Sequence, residues 1–174
     1  MMACGQPLDD ARFPTGSQTL TSSSDYSRVY VANVDAGTVS VMSTDGTLMS
    51  KHDVGISPTR IARSGEFVIV TLRGERAVSM LRESPEGLES VGYLEVGAEP
   101  FGVVAPEGGS VAYVALSQSD EVVEIGLEPL EVTRRFSVPD QPAYLALHPS
   151  AKALYVGSLM NGTLSHIDLR GEGE

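Results

Sequence analysis

A single cysteine, Cys4, excludes an internal disulfide and any Cys-x-x-Cys-His haem attachment within this chain. Cations are scarce as well: 12 Lys and Arg stand against 23 Asp and Glu, a formal net charge of −11. Phosphate neutralisation dominates nucleic-acid affinity, so this chain is a poor fit to nucleic acid, and anionic membrane surfaces are disfavoured for the same reason. Nowhere do apolar residues run long enough to span a bilayer. No long segment has a helical period; the apolar residues alternate or form short runs. The three histidines, His52, His148 and His166, show neither His-x-His nor His-x-x-x-His spacing, and no Asp-x-Asp-x-Asp-Gly loop offers a calcium site. A Gly-x-Ser-x-Gly elbow is absent, and so is a glycine loop that opens a helix to cradle phosphate. On these grounds no catalytic centre, metal or cofactor is expected.

Glycine and proline are plentiful, 18 and 10, and evenly scattered, as many short strands require. The stretch Arg28–Met42 shows the unit. Val29–Val31 and Thr38–Met42 are short β runs around a polar, Gly-containing loop, the pattern of a hairpin. It returns at Val68–Met80, Ala112–Ile125 and Leu154–Ile167. Pro58, Pro100 and Pro142 are 42 residues apart (100 − 58 and 142 − 100), each with a valine four before it and an aliphatic three after. Ser17 takes the proline position in a first copy, with Phe13 four before and Leu20 three after. Copies therefore start near residues 17, 58, 100 and 142. A 42-residue period of four short strands is the mark of an all-β propeller of about four four-stranded blades.

The strands expected first in each copy are Gln18–Thr21, Thr59–Ala62, Phe101–Val104 and Ala143–Leu147. Second strands are Val29–Val31, Phe67–Val70, Val111–Val114 and Leu154–Val156; third strands are Thr38–Met42, Ala77–Leu81, Val122–Ile125 and Thr163–Ile167. Fourth strands are Leu48–Val54, Val91–Val96 and Val132–Val138, and the last copy stops without one. The spare strand near Phe13 is expected to complete that blade from the other chain end, because an open sheet edge invites aggregation. Two readings stay open: a closed four-bladed ring, or part of a larger ring in which a homodimer or further blades supply the rest. Residues 1–10 read as a polar tail or tether, and residues 11–174 as the propeller.

Val29-Tyr30-Val31-Ala32-Asn33 followed by Gly37-Thr38-Val39-Ser40-Val41 resembles the YVTN family of β-propeller repeats. Ala112-Tyr113-Val114-Ala115 and Leu154-Tyr155-Val156-Gly157 keep the pattern, and Pro58-Thr59-Arg60-Ile61-Ala62 and Pro142-Ala143-Tyr144-Leu145-Ala146 match its Pro-x-x-aliphatic-Ala element. The likeness covers about residues 11–170. It implies a secreted, periplasmic or surface-layer protein that serves for binding or structure, with lactonases and cytochrome-linked proteins among related propellers. Met1-Met2-Ala3-Cys4-Gly5 also resembles the end of a bacterial lipoprotein signal, which makes Cys4 a lipidation candidate and the location periplasmic or cell-surface.

Propeller ligands bind on the face built from the loops before strand one and between strands two and three. Here those loops supply Asn33, Asp35, Arg73, Arg76, Ser117, Gln118, Asp120, Met160 and Asn161, with Arg60, Phe101 and Tyr144 close to the axis. Turn chemistry alone accounts for Asn and Asp at such positions. Blade two concentrates Arg60, Arg63, Arg73, Arg76 and Arg82, a local basic spot able to hold a carboxylate or phosphate, with Glu66, Glu75 and Glu83 placed to neutralise it across turns. The expected function is a non-catalytic extracytoplasmic propeller that binds a protein or small ligand on this face. The alternatives are the propeller portion of a lactonase-like or cytochrome-linked redox protein, and a structural cell-envelope repeat.

Overall fold

A computed structural model of the chain describes residues 15–170. The tail expected over residues 1–10, Cys4 and Phe13 lie outside the described residues. The described chain forms sixteen strands in four antiparallel four-stranded sheets, without helices. A short leading strand, β1 (Thr15–Gly16), precedes blade one, which is β2 (Leu20–Ser22), β3 (Arg28–Asn33), β4 (Thr38–Ser43) and β5 (Leu48–Asp53). Blade two is β6 (Pro58–Ser64), β7 (Phe67–Leu72), β8 (Ala77–Ser84) and β9 (Gly87–Glu95). Blade three is β10 (Pro100–Val104), β11 (Val111–Leu116), β12 (Glu121–Leu127) and β13 (Leu130–Ser137). Blade four holds β14 (Pro142–Leu147), β15 (Ala153–Ser158) and β16 (Leu164–Asp168), with β1 as its fourth strand. The blade order and the four strands per blade are those read from the period.

Strand chemistry follows position. The second strand of blade two, Phe-Val-Ile-Val-Thr-Leu, is buried at all six residues, because both faces of that sheet are covered by neighbours. The outer strand β13 alternates half-buried and exposed, as one wet face requires. Three apolar clusters hold the blades together. Tyr30, Val39 and Val41 of blade one meet Ile61, Val68 and Val70 of blade two. Ile69, Val78 and Met80 of blade two meet Val103, Ala112 and Val114 of blade three. Tyr113 and Val122 of blade three meet Leu145, Leu154 and Val156 of blade four. Each blade thus has a forward face and a backward face set by the two-residue alternation of its strands. Among the described residues no apolar cluster joins blade four to blade one.

A two-residue strand, β1, joins blade four at its inner edge, and the completing strand expected near Phe13 lies outside the described residues. β1 pairs with β14, through Thr15 with Leu147 and Gly16 with Ala146, rather than lying beside β16. The reason is where the chain goes next. Ser17 N donates to Leu145 O at 2.9 Å, Ile61 N donates to Gln18 O at 2.8 Å, and the chain then enters β2. First strands line the axis, so a segment that leads into one reaches only the inner edge of blade four.

Close packing at the axis explains one glycine. A Cβ at Gly102 would sit 2.2 Å from the carbonyl oxygen of Ala143 on β14. Only a bare Cα lets β10 and β14 approach so closely. Within blade three, the buried carboxylate of Glu124 accepts from Thr133 Oγ1 at 2.7 Å and Arg134 Nε at 3.0 Å, and Arg134 Nη2 closes the ion pair. Burial raises the Glu124 pKa, but the hydrogen bonds from Arg134 and Thr133 outweigh it, and the net shift is downward. A depressed folded-state pKa means stability that is present above the ordinary carboxylate range and lost as pH falls through the folded value.

Two outcomes follow. Gly102→Ala should destabilise the fold by about 1–3 kcal/mol in urea titration, the usual cost of overpacking. Glu124→Gln should cost up to about 3 kcal/mol at neutral pH, the scale of a charged hydrogen bond. That variant should also lose stability less steeply than the wild type as pH is lowered into the carboxylate range. Parallel pH profiles for the two proteins would contradict the role assigned to Glu124.

Candidate functional site

One end of the blades is knitted together by backbone hydrogen bonds between the two kinds of loop. Arg73 N donates to Ser57 O at 3.1 Å, Ser117 N to Glu99 O at 3.1 Å and Leu159 N to Gln141 O at 3.0 Å, which ties the strand-two exits of blades two, three and four to their loops before strand one. Ser57, Glu99 and Gln141, each just before a proline, have φ of 55°, 49° and 59°. The same left-handed conformation recurs just before strand three, at Gly37, Arg76, Asp120 and Gly162, with φ of 68°, 59°, 51° and 62°. Arg76 and Asp120, both offered as binding residues, therefore occupy a turn position that glycine fills in the outer blades. The Asp120 carboxylate accepts Gln141 N at 2.9 Å. The Arg76 side chain is exposed and forms no ion pair among the described residues.

The other expected residues fall into two groups. Asn33 is drawn into its own hairpin, donating from Nδ2 to Thr38 Oγ1 at 3.1 Å and Ser40 Oγ at 2.9 Å. Asn161 donates to Asp140 Oδ1 at 3.0 Å, between loops of the same blade. Asp35 and Gln118 are exposed on their turns. Arg60, Arg73, Phe101 and Tyr144, from three different blades, come together. The Arg60 guanidinium lies 4.6 Å over the Phe101 ring and that of Arg73 lies 5.8 Å from it. Tyr144 meets Phe101 edge-on, with ring centroids 5.8 Å apart and planes at 83°. Two cations near one ring and a second aromatic packed edge-on follow the charge distribution of the ring.

What holds this cluster is buried beneath it. The Thr71 hydroxyl, fully buried, donates to Phe101 O at 2.9 Å and accepts Arg60 N at 3.0 Å, fixing the strands that carry the ring and the guanidinium. Arg73 also pairs with Glu99 at 2.9 Å. Arg60 Nη1 donates to the carbonyl of Thr59 at 2.9 Å, and Arg60 has no carboxylate partner among the described residues. The neutralisation expected within blade two is found only for Glu66, which lies 3.7 Å from Arg82. Glu75 instead accepts Ile56 N at 2.7 Å and Glu83 accepts Ser24. Arg63, Arg73 and Arg82 pair with Glu107, Glu99 and Glu128 of blade three.

The opposite end carries a concavity that no sequence motif announced. Ser23, Ser24, Asp25, Arg28, Tyr30, Glu83, Ser84 and Pro85 line about 280 Å³ between blades one and two. The Tyr30 hydroxyl is buried there with no hydrogen-bond partner. Burial, then the Glu83 charge, push its pKa up to about 12. Hydrogen bonds from Ser23 and Ser27 hold the Asp25 carboxyl well below the usual carboxylate range. Arg28 is spent on the carbonyls of Ser84 and Pro85, at 2.8 and 3.0 Å. The three histidines stand apart: His52 beside Ser50, His148 beside Ser150 and His166 against Tyr155.

No family model and no curated protein sequence matches the chain. Solved structures do. Hydrazine synthase of Kuenenia stuttgartiensis superposes with a TM-score of 0.79 at 21% identity, over 97% of this chain and 49% of that one. The β-propeller domain of Cps50 (Swd1) from Myceliophteria thermophila gives 0.75 at 9% identity, over 88% of this chain and 54% of that one. A Bacteroides uniformis protein, provisionally described as a 6-phosphogluconolactonase, gives 0.70 at 18% identity, over 84% and 52%. The chain spans about half the length of these structures, and its fold is that of a β-propeller.

Proposed function

We propose that this chain is a non-catalytic, extracytoplasmic binding propeller of the YVTN kind, and that the Arg60–Phe101–Tyr144 cluster receives an anionic group of its ligand. The observation that carries this reading is the arrangement at the axial end of the loop face. In a chain of net charge −11, a partly exposed guanidinium sits on an aromatic ring with no carboxylate partner among the described residues. Three blades contribute to it, and Thr71 holds two of them in register. A flat, pre-set guanidinium beside aromatic edges suits a carboxylate carried on an apolar or aromatic body. Asn33, Asp120 and Asn161 serve the loops rather than the ligand in this reading. The extracytoplasmic location rests on Ala3-Cys4-Gly5 and the repeat motif.

A lactonase-like or redox-linked role is the second reading. It is favoured by hydrazine synthase and the Bacteroides uniformis protein among the similar structures. Turnover of a sugar lactone by the purified chain, lost in Arg60→Ala, would establish it over the binding role.

The direct test is an amide NMR titration with benzoate and with inorganic phosphate. Benzoate should shift residues around Arg60, Phe101 and Tyr144. Arg60→Ala and Phe101→Ala should each weaken that binding roughly tenfold, equivalent to about 1.4 kcal/mol. Shifts confined to other surfaces, or binding indifferent to both substitutions, would refute the assignment.

A further inference from the structure

The four blades are the same unit, so each position can be compared with its counterparts. Tyr30, Ile69, Tyr113 and Tyr155 occupy one place in the second strand, paired with Val41, Met80, Glu124 and His166. The first three are covered by the following blade and are at most 4% exposed; Tyr155 is 36% exposed. Val39, Val78, Val122 and Leu164 share a place in the third strand. The three valines are fully buried and Leu164 is 74% exposed. The forward face of blade four is thus built like the others and left uncovered, with Tyr144 beside it, also exposed.

Blade one shows the converse. Ile61, Val103 and Leu145 are buried against the preceding blade, whereas Leu20, at the same place after Ser17, is 48% exposed. Val68 and Val70, Ala112 and Val114, and Leu154 and Val156 are all buried on their backward faces. Their counterparts Val29 and Val31 are only half-buried, and Met42 and exposed Leu48 extend the same apolar face. Among the described residues the forward face of blade four has no follower and the backward face of blade one no predecessor, and these are the two halves of one blade interface. The similar structures extend well beyond the part this chain matches, which is 49%, 54% and 52% of their lengths, so propellers of this kind carry further blades.

We infer that a second copy of this chain covers these faces. Blade four of each copy packs its Tyr155–Leu164 face on the Leu20–Val29–Val31 face of blade one in its partner. Two such contacts, related by a twofold along the propeller axis, close the ring and leave neither face open. A head-to-tail interface closes rather than polymerises when its rotation divides the circle, and the half-turn needed here is set by the arc of four blades. Exposed apolar faces of this size on a repeat array otherwise require polar caps, which blades one and four lack at these positions.

Light scattering on the purified chain should give twice the 18.4 kDa chain mass. Leu164→Glu and Leu20→Glu should each reduce it to a single chain mass while keeping the wild-type circular dichroism spectrum, since both side chains are exposed in the single chain. Tyr26→Glu, exposed away from both faces, should leave the mass doubled. Mixing the two interface variants should restore part of the doubled mass, because one of the two contacts in the mixed pair has both faces intact. A single chain mass at millimolar concentration would overturn the inference and assign the faces to blades of another polypeptide. A doubled mass that survives either interface variant would overturn the head-to-tail arrangement.

Discussion

Packing of one blade's forward face on the next blade's backward face is the interaction on which the rest of the structure depends. No blade buries enough on its own: its β-strands expose apolar side chains alternately on both faces, and only a neighbour on each side removes them from water. The three clusters within the chain are the same contact repeated, with Tyr30, Ile69 and Tyr113 in the same role. The first strands are thereby pressed together at the axis, tightly enough that Gly102 has no room for a side chain. The candidate site is a by-product of that pressure. Phe101, Arg60 and Tyr144 belong to three blades and meet only because their first strands do.

Much of this was legible in the sequence, and the reason is periodicity. A spacing of 42 residues between Pro58, Pro100 and Pro142 fixes which strands are equivalent, and the Val/Ile/Tyr runs fix which are inner and doubly covered. Local patterns sufficed because each hairpin is local. The carboxylate partners of the arginines were not legible in the same way. Arg63, Arg73 and Arg82 bond to Glu107, Glu99 and Glu128, which lie 44, 26 and 46 residues onward, across a blade boundary rather than across a turn. Adjacent turns looked closer in sequence than they are in space. The pairing of β1 with β14 was likewise not legible, since it depends on where Ser17 and Gln18 cross the axis.

Of the residues the sequence offered at this end of the blades, Arg60, Arg73, Phe101 and Tyr144 come together, whereas Asn33, Asp120 and Asn161 bond within the loops. Arg76 and Asp120, offered as binding residues, hold the left-handed turn that Gly37 and Gly162 hold elsewhere. Asn33 satisfies its own hairpin. Arg60, Phe101 and Tyr144 sit on strands, one or two residues beyond their prolines, and their side chains converge at the axis. The concavity around Tyr30 left no trace in the sequence because it forms between two turns of different blades, through the bonds from Ser24 to Glu83.

Stability that comes from blade-on-blade contact is greatest in the middle of the array. Hydrogen exchange at each amide, measured at a protein concentration low enough to keep chains apart, tests it directly. Strands β7, β8, β11 and β12, covered on both sides, should exchange most slowly, with β3, β4, β15 and β16 faster. Uniform protection across the four blades, or slowest exchange in the outer two, would contradict it.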